Sequence, residues 1–191
     1  MKLIYFHGFG SSAQSGTIRT LRKMLSDFEV IAPDIPVDPA DALPLLKQLC
    51  EDEQPDVVIG TSMGGMYAQQ MFGFNRICVN PAFEMSIMSK VLKVGTFEYF
   101  NPRMDGETHF TITPDIVKHH ADMESKQFDG VNDEEKTKVW GLFGSDDRLV
   151  NGEHIFRQYY DNVIHFTGEH RMSEEVITTV LIPLIRKITN S

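Results

Sequence analysis

Gly60-Thr61-Ser62-Met63-Gly64-Gly65 stands directly after the run Asp56-Val57-Val58-Ile59 and directly before Met66-Tyr67-Ala68-Gln69-Gln70-Met71. A β-branched apolar run, a serine between glycines and a helix-compatible stretch make G-x-S-x-G in a strand–turn–helix setting. That setting lifts a serine hydroxyl above the edge of a parallel sheet. Glycine at positions 60 and 64 lets strand and helix close up around the turn. The five letters recur by chance in many chains, so the flanks carry the reading. With these flanks Ser62 is read as a nucleophile rather than as an ordinary serine in a Gly-rich turn.

Working outward, apolar runs of strand length alternate with stretches of helical period. Strands are predicted at residues 2–6, 29–32, 56–60, 75–80, 138–143 and 162–166. Helices are predicted at 15–28, from Asp38-Pro39 onward, from the serine turn to about 72, at 152–160 and at 173–188. Asp38 before Pro39 is a helix start, an acid at the cap and a proline at the first position. Strands buried on both faces and separated by amphipathic helices imply a doubly wound, mostly parallel six-stranded sheet. By analogy with other sheets that carry such a serine turn, the expected strand order is 2-1-3-4-5-6.

One segment breaks the rhythm. Residues 83–136 are too many for a bare loop in a compact domain. They hold an expected helix at 83–92, the aromatic stretch Phe97-Glu98-Tyr99-Phe100, a helix-like run at 113–126 and an acidic connector at 129–135. The segment leaves the C-terminal edge of the fourth strand, where open α/β sheets bind ligands. It is read as a helical lid or cap inserted in one domain spanning 1–191; the alternative is an insertion that only buries core.

Bulk properties exclude several classes. The 191 residues carry a formal net charge of -9, which disfavours non-specific nucleic-acid binding. No apolar stretch approaches the ~20 residues that span a bilayer. The start, Met1-Lys2-Leu3-Ile4-Tyr5, enters a strand with no signal-peptide pattern, so a cytoplasmic protein is expected. Cys50 and Cys78 are the only cysteines and offer neither a disulfide framework nor zinc spacing. Without H-E-x-x-H or a Cys/His cluster, no metal and no cofactor are expected.

A serine nucleophile needs a base, and the base needs an orienting carboxylate. With the serine on such a turn, the three follow the chain order Ser, acid, His. The fifth strand ends in Gly144-Ser145-Asp146-Asp147-Arg148-Leu149-Val150, two adjacent acids of which Asp147 is preferred and Asp146 is the alternative. The sixth strand runs into Thr167-Gly168-Glu169-His170, and His170 is the candidate base. His165 lies within that strand pattern, His119 and His120 come too early in chain order, and His154 sits on a helix. Two backbone donors are needed for the oxyanion. Met63 N–H follows the serine, and Phe9 N–H belongs to the loop His7-Gly8-Phe9-Gly10-Ser11-Ser12 after the first strand. His7 is read as a scaffold residue of that loop. The loop lacks the lysine and glycine spacing of a nucleotide phosphate cradle.

Taken together, Tyr5-Phe6-His7-Gly8-Phe9-Gly10-Ser11-Ser12, the serine turn, Val79-Asn80-Pro81-Ala82, Asp147 and Gly168-Glu169-His170 resemble the small bacterial YqiA/YcfP-like esterases of the α/β-hydrolase superfamily. The resemblance spans nearly the whole chain and is poorest from 84 to 130. It implies a minimal α/β-hydrolase fold and cofactor-free hydrolysis of a small-molecule carboxylic ester or thioester. Acyl transfer to another acceptor, C–C bond hydrolysis and a non-catalytic binding role on the same fold are the alternatives.

Overall fold

The structure is a computed structural model and describes residues 1–88 and 91–190. Six strands form one parallel sheet: β1 (Lys2–Phe6), β2 (Glu29–Ile31), β3 (Val57–Thr61), β4 (Arg76–Val79), and two later strands, Val139–Gly144 and Val163–Phe166. The spatial order places the second strand outermost, then the first, third, fourth, and the two later ones, all neighbours parallel. This is the expected 2-1-3-4-5-6 order. Alternate residues of each strand feed opposite faces. Ile4, Phe6, Val58 and Cys78 meet helices α2 (Pro39–Glu53) and α3 (Met63–Gln69) through Leu46, Met66 and Tyr67. Leu3, Tyr5, Ile59 and Val79 meet α1 (Gly16–Met24) and the C-terminal helix through Ile18, Leu21, Leu181 and Ile185.

Helix α2 begins as its residues dictate, with the Asp38 carboxylate accepting from Ala40 N–H at 2.8 Å and Pro39 at the first turn. Helix α1 ends at Met24, short of the expected 28, and its last turn closes with Leu25 N–H on the Leu21 carbonyl at 2.9 Å.

Between β4 and the fifth sheet strand the chain departs from expectation in detail. In place of a helix over 83–92 there is a 3₁₀ turn at Met85–Ile87, and residues 89 and 90 of that expectation lie outside the described residues. Next comes a two-stranded antiparallel hairpin that the sequence reading did not anticipate, β5 (Gly95–Glu98) with β6 (His109–Ile112). Its inward side chains, Phe97, Phe110 and Ile112, join the core on the α2–α3 side. Helix α4 (Pro114–Glu124) starts from Thr113, whose hydroxyl accepts from Ile116 N–H at 3.2 Å. The acidic connector is a short helix, α5 (Asp133–Thr137), capped by Asn132 on Glu135 N–H at 2.9 Å. Acids in a first turn suit the positive end of the helix dipole, which is why a charge-rich loop composition folds this way.

After β7 (Val139–Gly144) come α6 (Gly152–Phe156) and β8 (Val163–Phe166). The C-terminal helix runs as α7 (Glu174–Val176), a π-helical stretch at Ile177–Leu181 and α8 (Ile182–Thr189). The widened turns stand directly before Pro183, which has no N–H for an i−4 bond.

Candidate active site

Ser62 joins β3 to α3 with φ 58° and ψ -119°, a conformation that L side chains rarely adopt and that stores about 1–3 kcal/mol of strain. Backbone bonds hold it there. Its N–H donates to the Val79 carbonyl at 2.9 Å, and its carbonyl accepts from Met66 and Ala82 N–H groups, each at 3.1 Å. Glycine is compulsory around this turn. A Cβ at Gly60 would lie 1.9 Å from the Gly64 carbonyl oxygen, and one at Gly64 would lie 2.1 Å from that of Phe6. Close packing of strand on helix thus forces the serine outward, where it is half-buried.

The loop after β1 lies against the same turn. A Cβ at Gly8 would sit 3.4 Å from the Ser62 Cβ. His7 shapes this loop: Ile35 N–H donates to its Nε2 at 3.0 Å, so its Nδ1 carries the proton and donates to the Gly8 carbonyl at 2.9 Å. Burial lowers its pKa from 6.5 to about 4, leaving a neutral ring fixed in one tautomer. Among the described residues, neither Phe9 N–H nor Met63 N–H is taken by another protein acceptor. The hairpin segment braces the loop from outside. Phe100 N–H donates to the Gly10 carbonyl at 2.8 Å, Asn101 Nδ2 to Ser11 Oγ at 3.0 Å, and Ser12 Oγ to the Pro102 carbonyl at 2.7 Å.

Asp147 and His170 come together: His170 Nδ1 lies 2.8 Å from Asp147 Oδ2. The second carboxylate oxygen accepts from Leu149 N–H at 2.8 Å and Val150 N–H at 3.3 Å, so the acid is aimed by its own turn. Its side chain is 6% exposed and that of His170 16%. Asp146 is exposed and instead accepts from Ser145 Oγ at 2.9 Å. The two loops zip along their backbones, with Ser145 N–H on the Phe166 carbonyl and Asp146 N–H on that of Gly168, both at 2.9 Å. Ser62 forms no side-chain hydrogen bond with His170 in this conformation; apo sites commonly tighten such contacts only when substrate binds. A carboxylate on Nδ1 fixes the tautomer whose Nε2 can take a proton, which is the chemistry this pair can perform.

Among the described residues, none of the other histidines pairs with Asp147. His165 Nε2 meets the Glu153 carboxylate at 3.0 Å, and His119 Nδ1 meets Asp38 at 2.9 Å. His120 is fully buried, and burial lowers its pKa to about 4. Cys50 and Cys78 are buried free thiols whose pKa burial pushes up to about 12, which suits inert core residues.

Asn80, one residue past β4, had no role in the sequence reading beyond its place in a motif. The only local signal was an asparagine before a proline at a strand end, a turn dipeptide. In the structure its buried side chain contacts both loops: it accepts from Gly144 N–H at 2.9 Å and donates to the His170 carbonyl at 3.0 Å. Two cavities open nearby. One, of about 120 Å³, is lined by Ala82, Phe83, Ile87, Met88, Leu149 and Ile155 among others. A more polar one, of about 350 Å³, lies behind Asp147 beside Asn80, Gly144, Glu153 and His165. Of the other Phe and Met residues in the inserted segment, Met85 is core, whereas Phe100 and Met104 are 67% and 66% exposed.

A parallel sheet of this order, with a left-handed serine between β3 and α3 and acid and histidine loops after the last two strands, is an α/β-hydrolase fold. The chain belongs to the Uncharacterised protein family (UPF0227), the YqiA/YcfP-like family, whose model matches residues 2–177. Among solved structures it is similar to Est1E from Butyrivibrio proteoclasticus, with 16% identity over 100% of this chain and 88% of that one and a TM-score of 0.70. A metagenome-derived lipolytic enzyme of the LipS and LipT study is 18% identical over 97% of this chain and 93% of its own, with a TM-score of 0.66. The alpha/beta hydrolase domain-containing protein 10 from mouse is 14% identical over 99% and 89%, also with a TM-score of 0.66. At these identities the likeness speaks for the fold. No helix among the described residues is long and apolar enough to cross a membrane.

Proposed function

We propose that this protein is a serine hydrolase of small-molecule carboxylic esters or thioesters, with Ser62 as nucleophile, His170 as base and Asp147 as its orienting acid. The observation that carries the reading is the 2.8 Å His170–Asp147 pair, on loops tied to the end of the strand that also holds the Ser62 backbone. The esterase and lipolytic descriptions of the similar folds agree with it. His170 Nε2 takes the Ser62 proton as the hydroxyl attacks the acyl carbonyl. The oxyanion of the tetrahedral intermediate sits between Phe9 and Met63 N–H groups. Protonation of the leaving alcohol or thiol by His170 gives an acyl-enzyme, and a water activated by the same imidazole releases the acid. The scheme uses no metal and no cofactor.

Residues 83–136 are assigned as the cap over this site. The cavity of about 120 Å³ begins at Ala82, whose N–H bonds the Ser62 carbonyl, and its lining by Phe83, Ile87 and Leu149 suits an apolar acyl group. The test is turnover of p-nitrophenyl esters from acetate to laurate by wild type and Ser62→Ala side by side. Activity lost in the variant by at least about 10³-fold supports the assignment. Equal rates in the two proteins would exclude Ser62 as the nucleophile.

A further inference from the structure

We propose that Asn80 is a positioning residue: its single side-chain amide sets the distance and angle between the loop of the acid and the loop of the base. The proposal rests on reading Asp147 and His170 as orienting acid and base, and it adds a third member that neither chain order nor the G-x-S-x-G turn points to. Asn80 is 1% exposed and stands between the two loops at the end of β4. Its Oδ1 accepts from the N–H of Gly144, the last residue of β7 and three residues before Asp147, at 2.9 Å. Its Nδ2 donates to the carbonyl of His170 at 3.0 Å and to that of Glu169 at 3.3 Å. Because a backbone N–H can only donate and a carbonyl can only accept, these partners fix which end of the amide is oxygen.

Neither end of this amide is needed to hold β4 in the sheet. The backbone N–H of Asn80 already donates to the Leu142 carbonyl at 2.9 Å, continuing the ladder to β7. The side chain reaches past the sheet to the two loops. Those loops are in direct contact: a Cβ at Gly144 would lie 2.6 Å and 2.7 Å from the carbonyl oxygens of Gly168 and Glu169. So little side-chain bulk separates them that the Asn80 amide reaches both. It adds a side-chain strut to the two backbone bonds that already join their roots, Ser145 N–H on the Phe166 carbonyl and Asp146 N–H on that of Gly168. The neighbouring residue Val79 accepts the Ser62 N–H, so the same strand end also anchors the serine turn. One short segment, 79–80, therefore touches all three parts of the site.

The backbone at Asn80 adopts φ 41°, a conformation open chiefly to glycine, asparagine and aspartate. That allows two clean substitutions. Asn80→Gly keeps the backbone conformation and deletes both struts. Asn80→Asp is isosteric; it keeps the acceptor for Gly144 N–H but faces two carbonyls with an oxygen that cannot donate.

The experiment pairs steady-state kinetics on a p-nitrophenyl ester with proton NMR of ¹⁵N-histidine-labelled protein, which follows the His170 Nδ1–H held by Asp147. Expected for Asn80→Gly is a folded protein in which kcat falls on the order of 10²-fold, the loss typical of a small misplacement of reacting groups, with KM little changed. The Nδ1–H resonance should broaden or vanish. Asn80→Asp should reproduce the kcat loss. A folded Asn80→Gly or Asn80→Asp with kcat within about threefold of wild type and an intact resonance would overturn the proposal. So would failure of both variants to fold, which would make Asn80 a folding residue only. The resonance needs no substrate. Its loss in a protein that hydrolyses no ester would leave the positioning role standing and sink the esterase reading instead.

Discussion

The C-terminal rim of the sheet and the segment that crosses it, residues 83–136, are held by different kinds of contact. At the rim, backbones touch almost without side chains between them: Gly60 on Gly64, Gly64 on Phe6, Gly144 on Gly168 and Glu169. Two non-glycine residues there, Ser62 and Asn80, sit at positive φ. The crossing segment is held chiefly by side chains. Phe128 stacks on Tyr159 at 3.9 Å between ring centroids, Phe110 packs against Phe9, Phe97 and Tyr99, and Gln127 Nε2 donates to the Phe83 carbonyl at 2.8 Å. Buried at its far end, Glu135 pairs with Arg76, and neither reaches the site. Backbone-on-backbone packing leaves little slack, so it holds Ser62 and the loops of Asp147 and His170 closely in place. Side-chain packing can rearrange by rotamer changes, so the crossing segment is where pocket shape can vary while the rim stays constant.

That contrast predicts graded effects. The largest is at the rim: Asp147→Asn should lower kcat by on the order of 10⁴-fold by admitting the wrong tautomer of His170. Asp146→Asn, one residue away, should stay within about threefold in the same ester assay. Equal losses from the two would dissolve the distinction that the carboxylate contacts draw.

Next comes glycine against glycine. Gly64→Ala places a Cβ 2.1 Å from the Phe6 carbonyl oxygen and should destabilise by more than about 4 kcal/mol in denaturant unfolding. Gly106→Ala, in the crossing segment at φ 80° with nothing within 4 Å, meets only backbone strain and should cost about 1 kcal/mol. A tolerated Gly64→Ala would mean that the rim has slack after all.

Glu135→Ala leaves the fully buried Arg76 guanidinium without its carboxylate and should cost about 3–5 kcal/mol of stability. Because this pair lies away from the rim, kcat per folded molecule should not change. A fall in kcat would couple the two regions.

The remaining effect, spread over a pH range and so small at any one pH step, is in acid stability. His7 at the rim and His120 in the crossing segment are each lowered from 6.5 to about 4 by burial. Both are neutral when folded, while the unfolded chain takes up protons below about 6.5. Their contribution is therefore complete above 6.5 and drains away as pH falls toward 4, by at most about 3 kcal/mol each. Thermal melts between pH 7 and 4.5 should show this slope, and His7→Gln should flatten part of it. An unchanged slope would mean that His7 is not the buried neutral ring described above.

The sheet was legible because its evidence is local. Strand-length apolar runs and helical periods recur within a few residues of one another, and the elements and the serine turn follow from them, whereas the strand order came by analogy with other sheets that carry such a turn. The hairpin of β5 and β6 was not legible, since strands of four residues carry too little alternation to tell from loop. The 3₁₀ turn at Met85–Ile87, in place of a longer helix, was missed for a similar reason: apolar content there matches either form. Adjacent acids at 146 and 147 could be ranked only by a motif spacing, whereas the turn at Gly144 decides which carboxylate faces His170. By itself, then, the sequence determined the doubly wound sheet and the strand–serine–helix turn, because these depend on residue types a few positions apart. Only the tertiary structure decided that Asp147 rather than Asp146 meets His170, and that the Asn80 amide spans both loops. Those contacts join residues 23 and 90 positions apart, and chain periodicity holds no record of such distances.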